Sequence, residues 1–290
     1  MKYKMAAAAV LGTLLLGGCG GSDDVIDNIK QEIDDKNKPT ETTTANWGLE
    51  KTVNTITHSA LSTFVNFGFV DALVYGADEA VEGTPCSQGN YVKTSDKITF
   101  NNCRGLFDDD TAVSGVINLS TNQYQYVDFK ISYDDGESSL VNGALKVTST
   151  ANDTSGTIET NNLKVVSTEI DDNKKSRTVE YNLSAFKTSF QEEGSNGAYS
   201  LSSEGIFKVK GSEIGDYSAK FNTINPFRYK SNDEDSDAYD GQLKVVDTTN
   251  DKNYSILIAN NDAKTLMYQA SSDGKQVINK TITWDEVYDY

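Results

Sequence analysis

One histidine, three cysteines, three prolines and two tryptophans occur among 290 residues. The single imidazole, His58, falls about 150° from the apolar stripe of its segment on a helical wheel and is expected to face solvent. Most triad and general acid–base schemes go with it. The sequence also has no His-Glu-x-x-His, no Gly-x-Ser-x-Gly and no phosphate-binding glycine loop. Basic residues are in deficit, 26 against 43 acids, for a net charge of −17. That balance argues against nucleic acid and against adhesion to anionic lipid; it suits solubility, cation association or a basic partner. Uninterrupted apolar runs are short as well, and none reaches the ~20 residues of a membrane-spanning helix.

The clearest local signal lies at the start. Lys2 and Lys4 precede the apolar run from Met5 to Leu16, which stops at Leu16-Gly17-Gly18-Cys19. The segment reads as a signal peptide. Its final tetrapeptide resembles the lipobox of bacterial lipoproteins, which implies cleavage before Cys19, acylation of that cysteine and a membrane anchor without a transmembrane helix. Loss of residues 1–18 removes two lysines and no acid, so the mature chain is two units more negative. Gly20 stands where lipoproteins retained at the inner membrane usually carry aspartate. The resemblance therefore implies the outer membrane, at its periplasmic face or at the cell surface.

With Cys19 assigned to lipid, Cys86 and Cys103 remain. In an exported protein such a pair reads as a disulfide, against the alternatives of a redox pair or half a metal site. Tyr91-Val92-Lys93 and Lys97-Ile98-Thr99-Phe100 look like two strands around Thr94-Ser95-Asp96. A two-residue turn at Thr94-Ser95 would set Cys86 opposite Cys103 across the hairpin.

Residues 19–45 are polar and acidic, rich in threonine near their end, and read as a tether, with a short helix possible from Val25 to Ile33. The folded part, 46–290, is expected to be one β-rich domain opening with a helix. Val53, Ile56, Ala60 and Phe64 share a face, with Leu61 and Phe67 beside them; Lys51, Asn54, Thr55, Ser59 and Ser62 lie opposite. Residues 69–81 are apolar enough for a second helix or a first strand. From Tyr91 the period becomes two. Val127, Phe129, Ile131 and Tyr133 alternate with Asp128, Lys130 and Ser132, as Val179, Tyr181 and Leu183 do with Glu180 and Asn182. Asp134-Asp135-Gly136, Gly194-Ser195-Asn196-Gly197 and Ser272-Asp273-Gly274 read as turns.

A unit of the form Gly-x-Leu/Phe-Lys-Val recurs at Gly143, Gly205 and Gly241, with Asn162-Leu163-Lys164-Val165 as a glycine-less relative. Its uneven spacing suggests repeated hairpin geometry with glycine at strand entry. The architecture predicted is mainly β: a large curved antiparallel meander, a partial or closed barrel, packed on the amino-terminal helix. A β-sandwich is the alternative.

Cys86-Ser87-Gln88-Gly89 followed by Phe100-Asn101-Asn102-Cys103, the unit at Gly241, and Thr281-Ile282-Thr283-Trp284 together resemble a pattern in uncharacterised proteobacterial outer-membrane lipoproteins. The resemblance spans roughly the mature domain and implies no known activity.

Few residues suggest chemistry. Asp233, Asp235 and Asp237 alternate like the start of an EF-hand loop, yet Ala238 and Lys244 stand where that loop needs glycine and a bidentate glutamate. A solvated acidic turn is the expectation there and at Asp108-Asp109-Asp110. No cofactor is implied. A binding or structural role in the envelope, toward a basic protein or a glycan, leads; a carrier of acyl chains comes second and an enzyme third. The carrier needs open space between helix and sheet, which Phe64, Phe67, Phe129, Phe207 and Phe221 look sufficient to fill.

Overall fold

The structure, a computed structural model, describes residues 43–64, 68–107, 111–150, 154–170, 175–194, 197–230 and 237–288. Cys19, the tether up to residue 42 with the short helix at 25–33, Phe67, Asp108 to Asp110, Asp233 and Asp235 lie outside the described residues, as does the side chain of Phe64. The tether's last residues, 43–45, are instead part of the fold, Ala45 being buried and its N–H donating to the Asp216 carbonyl.

Two helices, α1 (Glu50–Phe64) and α2 (Phe69–Glu82), precede the strands. The sheet begins with β1 (Gln88–Lys93), β2 (Lys97–Arg104), β3 (Thr111–Ser120), β4 (Gln123–Tyr133) and β5 (Ser138–Ser149). It continues through β6 (Ser155–Thr160), β7 (Leu163–Ile170), β8 (Ser176–Glu192), β9 (Tyr199–Lys210) and β10 (Tyr217–Tyr229). β11 (Asp240–Asp247), β12 (Tyr254–Ala259), β13 (Thr265–Ser272) and β14 (Lys275–Thr283) complete it, before the short helix α3 (Trp284–Tyr288). The ambiguous segment at 69–81 is thus helical. Its end is set by Gly83 in the left-handed conformation, whose N–H donates to the Glu79 carbonyl.

All fourteen strands form one antiparallel sheet in sequence order. β5 pairs with β7 from Ser138 to Gly143 and with β6 from Lys146 to Ser149, and β8 forks in the same way. β6 and β7 therefore act as one strand broken at Asn161-Asn162. The meander curls into a partial ring rather than a closed barrel or a sandwich, with β1 and β14 as its edges.

The curl has an identifiable cause. Register shifts fall at Phe100/Cys103 in β2, Ser114/Val116 in β3, Tyr126/Phe129 in β4, Ser184/Lys187 in β8 and Asn222/Phe227 in β10. With the break at Asn161-Asn162 they mark an oblique crease across the sheet, and bulges bend strands and increase their twist. They also switch faces. Asp128 takes φ 46°, so Tyr126 and Phe129 both point inward and Val127 becomes exposed, against the simple alternation expected there. For the same reason the repeated glycines are not all at strand entries: Gly143 and Gly205 lie mid-strand.

The helices lie inside the ring, and this corrects the reading of His58. Thr52, Asn54, Thr57 and His58 are all buried, because the polar side of α1 meets β12, β13 and α3 instead of water. The Thr57 hydroxyl lies 2.6 Å from that of Ser255 and accepts from Tyr268 at 3.2 Å; His58 Nδ1 sits 2.6 Å from the Val287 carbonyl oxygen. Thr55, Thr57 and Ser59 also donate to carbonyls one turn earlier, a local bond that lets hydroxyls enter a core. Phe129, Phe207 and Phe221 join the helices in a single core.

Candidate binding cleft on the outer sheet face

The sulfur pair is bonded. Cys86 and Cys103 form a disulfide with their Cα atoms 5.3 Å apart. Their expected direct opposition is corrected: the hairpin turns on Ser95-Asp96, pairing Tyr91 with Phe100 and Lys93 with Ile98, and Cys86 precedes β1. A bulge supplies the offset. Gly89 has φ 74°, and a Cβ there would lie 1.9 Å from the Asn102 carbonyl oxygen. Asn102 also takes positive φ, so Phe100 and Cys103, three apart, both turn to the core. The Cys-x-x-Gly and Phe-x-x-Cys patterns are thus one bulged, cross-linked hairpin. Thr283-Trp284 is likewise structural. The Thr283 N–H donates to Glu286 at 2.7 Å and the Glu286 N–H to Thr283 Oγ1 at 3.1 Å, a reciprocal cap on α3, while Trp284 is buried against Phe227.

Among the described residues the helices and the inner faces of the strands share one core of buried side chains. A cavity of about 10 Å³ lies among Asn54, Thr57, His58, Leu257, Tyr268 and Val287, room for no more than one water. Burial lowers the His58 pKa, against the opposing effect of its hydrogen bond to Val287. At one end of the ring, Arg177 donates from Nη2 to Glu169 at 2.6 Å and Tyr181 donates to the same carboxylate at 3.0 Å. Burial, then the Glu169 charge, holds the Tyr181 pKa high. Glu213 ties this group to Lys51 of α1, and Glu137 accepts from the Ile170 N–H at 2.8 Å. Each of these groups is spent on a neighbour, which suits a brace.

A sizeable depression lies outside, about 540 Å³ over the break between β6 and β7. Gln123 and Gln125 reach it from β4, where they alternate with Tyr124 and Tyr126, whose hydroxyls donate inward to Asp78 and the Leu73 carbonyl of α2. Lys146 of β5, Glu159 of β6 and Lys187 of β8 stand on the same outer face, between the core residues Leu145, Ile158 and Phe186. Register explains their alignment: Gln123 faces Lys146, Lys146 faces Glu159, Glu159 faces Lys187 and Lys187 faces Glu204. Lys187 Nζ lies 3.0 Å from Glu159 Oε1. Asn161 and Asn162 form the other wall. Gly143 admits them at φ 138°, since a Cβ there would meet the Asn162 carbonyl oxygen at 2.3 Å.

Of these cleft residues the sequence singled out Gly143, Lys146 and Asn162 only as parts of the recurring unit, and none as a binding residue. Lys146, Glu159 and Lys187 look like any wet strand positions until register joins them; the Asn-Asn breaker between two alternating runs was the available signal. Of the acids expected in a turn, Asp237 is half-buried, and burial followed by repulsion from Asp285 raises its pKa to about 6. Among the described residues no group of three or more His, Cys, Asp or Glu is placed to hold a metal, and no helix is long and apolar enough to cross a membrane. No family model, no curated protein and no solved structure matches the chain.

Proposed function

We propose that the protein is a lipid-anchored, non-catalytic binding module of the outer membrane, acylated at Cys19 and engaging a basic envelope protein or a glycan through its outer sheet face. The observation that carries this reading is the filled ring. A carrier of acyl chains needs room between helix and sheet, and among the described residues that space holds one continuous core of buried side chains, Ile56, Leu61, Leu73, Phe129 and Phe221 among them. The polar cleft and a cross-linked scaffold favour recognition on the surface instead. The leader and Leu16-Gly17-Gly18-Cys19 support the address.

Two measurements test it. Cys19→Ala should abolish palmitate incorporation and release the chain from membranes; a labelled, membrane-bound variant would refute the anchor. Cross-linking in intact cells, followed by capture at low and high ionic strength, should recover one envelope protein or glycan. Capture of a basic protein should weaken with salt, because screening shortens the reach of the chain's negative charge. Stoichiometric fatty acid or phospholipid with no macromolecular partner would overturn the proposal in favour of a carrier.

A further inference from the structure

We infer that the cleft over the β6–β7 break binds an acidic saccharide, with Lys146 and Lys187 holding its carboxylate and the side-chain amides its hydroxyls. The inference rests on the surface-binding role proposed above and names its ligand class.

Size comes first. A depression of about 540 Å³ is within the range of small-ligand sites. Its lining then selects polarity. Four amides, those of Gln123, Gln125, Asn161 and Asn162, converge on it, and each offers a donor pair beside an acceptor, suited to adjacent hydroxyls. The exposed large hydrophobic residues of the protein, such as Val92 and Ile224, lie elsewhere. The apolar part of the cleft's lining is Ala144, Ala185 and the largely buried Phe186, a small patch that suits the C–H face of a sugar ring better than an acyl chain. A strand-adding peptide is disfavoured too, because β5 and β8 are both interior strands with neighbours on either side.

Charge narrows the class. The chain carries −17 overall, yet the charged side chains lining the cleft are two lysines and one glutamate, with Glu204 facing Lys187 outside that lining. This local positive excess, within an acidic surface that repels anions generally, favours a ligand whose negative charge is placed between those lysines. Lys187 is at present paired to Glu159 at 3.0 Å. A ligand carboxylate would share or take over that ammonium group, and Lys146, next to Glu159 in register, supplies a second.

The test uses the purified mature chain in detergent micelles, titrated with hexuronate oligosaccharides, with neutral hexose oligosaccharides of equal length, and with an oligoglutamate peptide. Hexuronates should bind about tenfold tighter than the neutral sugars, the worth of one charge-assisted hydrogen bond. Lys146→Ala and Lys187→Ala should each lower that affinity about tenfold, whereas Lys264→Ala, in the β12–β13 turn, should leave it unchanged. Glu159→Gln should tighten hexuronate binding by releasing Lys187, a gain that damaged folding would not produce. Absence of hexuronate binding, equal binding of neutral sugars, preference for the peptide, or indifference to Lys146 and Lys187 would each overturn the assignment. If a partner is nonetheless captured from cells, the surface-binding role stands and only the saccharide cleft fails.

Discussion

Two ionisable residues on the helices inside the ring, the buried His58 and the partly buried Asp71, make opposite contributions to stability as pH changes. Burial depresses the pKa of His58 below its ordinary value of 6.5. As pH falls through that value the unfolded chain takes up a proton that the native state refuses, so stability drops. Asp71, in the first turn of α2, is raised by burial from 3.8 to about 7. Here the native state holds the extra proton, so the stabilising contribution is present below pH 3.8 and is lost as pH rises through about 7. Chemical denaturation of Asp71→Asn at pH 8 should show a gain of about 1–2 kcal/mol, kept small because the side chain retains some solvent contact and the helix amino terminus favours its charge. The gain should disappear near pH 4. His58→Gln should flatten the loss of stability between pH 7 and pH 5; an unchanged slope would mean that His58 titrates as freely as in the unfolded chain. The sequence misplaced His58 for a physical reason. A helical wheel sorts residues by polarity, but α1 is wrapped on several sides, and Thr57 and His58 are accommodated by partners more than 190 residues away, Ser255 and Val287, that no local window contains.

At the scale of elements, the ends of strands were easier to read than their middles. Ser272-Asp273-Gly274 does form a tight hairpin turn, with Asp273 and Gly274 both at positive φ between paired Ser272 and Lys275. The disulfide pair was legible, although its register was not, because Gly89 and Asn102 insert a bulge that leaves no mark on polarity. Replacing Cys86 and Cys103 with serine should cost about 3 kcal/mol, measured by urea unfolding, since the bridge closes a loop with a sequence separation of 17. Free thiols in the exported, denatured and unreduced protein would rule the bridge out. Gly241 shows what the recurring glycine does in its last copy. The Phe227 ring lies where a Cβ would stand, 2.5 Å away, and Trp284 packs edge-on against that ring. Gly241→Val should therefore destabilise by about 3 kcal/mol, through overpacking added to a backbone at φ 140°. Phe227→Ala in the same background should recover part of the loss if the ring is the obstacle; simple addition of the two losses would place the cost in the backbone, at the φ of 140° and the Phe227 Cα 2.7 Å from the added Cβ.

At the scale of the molecule, the fold solves one problem with two devices. A meander this long exposes apolar residues on one face of every strand, and the bulged crease curls that face into a ring whose lumen must be filled. α1 and α2 fill it. This is why the alternation beyond Tyr91 sufficed to expect a curved sheet, while closed barrel and open ring could not be separated: closure depends on whether β1 and β14 meet, and edge residues read alike in either case. The state of the lumen also separates, by experiment, the two roles proposed for the protein. If the interior is as close-packed as the buried Ile56, Leu61, Leu73 and Phe129 indicate, organic extraction of the purified, non-acylated Cys19→Ala chain should yield far less than one acyl chain per molecule. A fluorescent fatty acid should likewise gain no protected environment. Leu73→Ala supplies the contrast. Removing a fully buried side chain from α2 should cost about 2–5 kcal/mol and leave an apolar cavity able to take a small hydrophobic guest. Guest uptake by Leu73→Ala but not by the parent would mark the lumen as a core; equal, stoichiometric uptake of long acyl chains by both would mark it as a binding chamber and transfer the function to carriage.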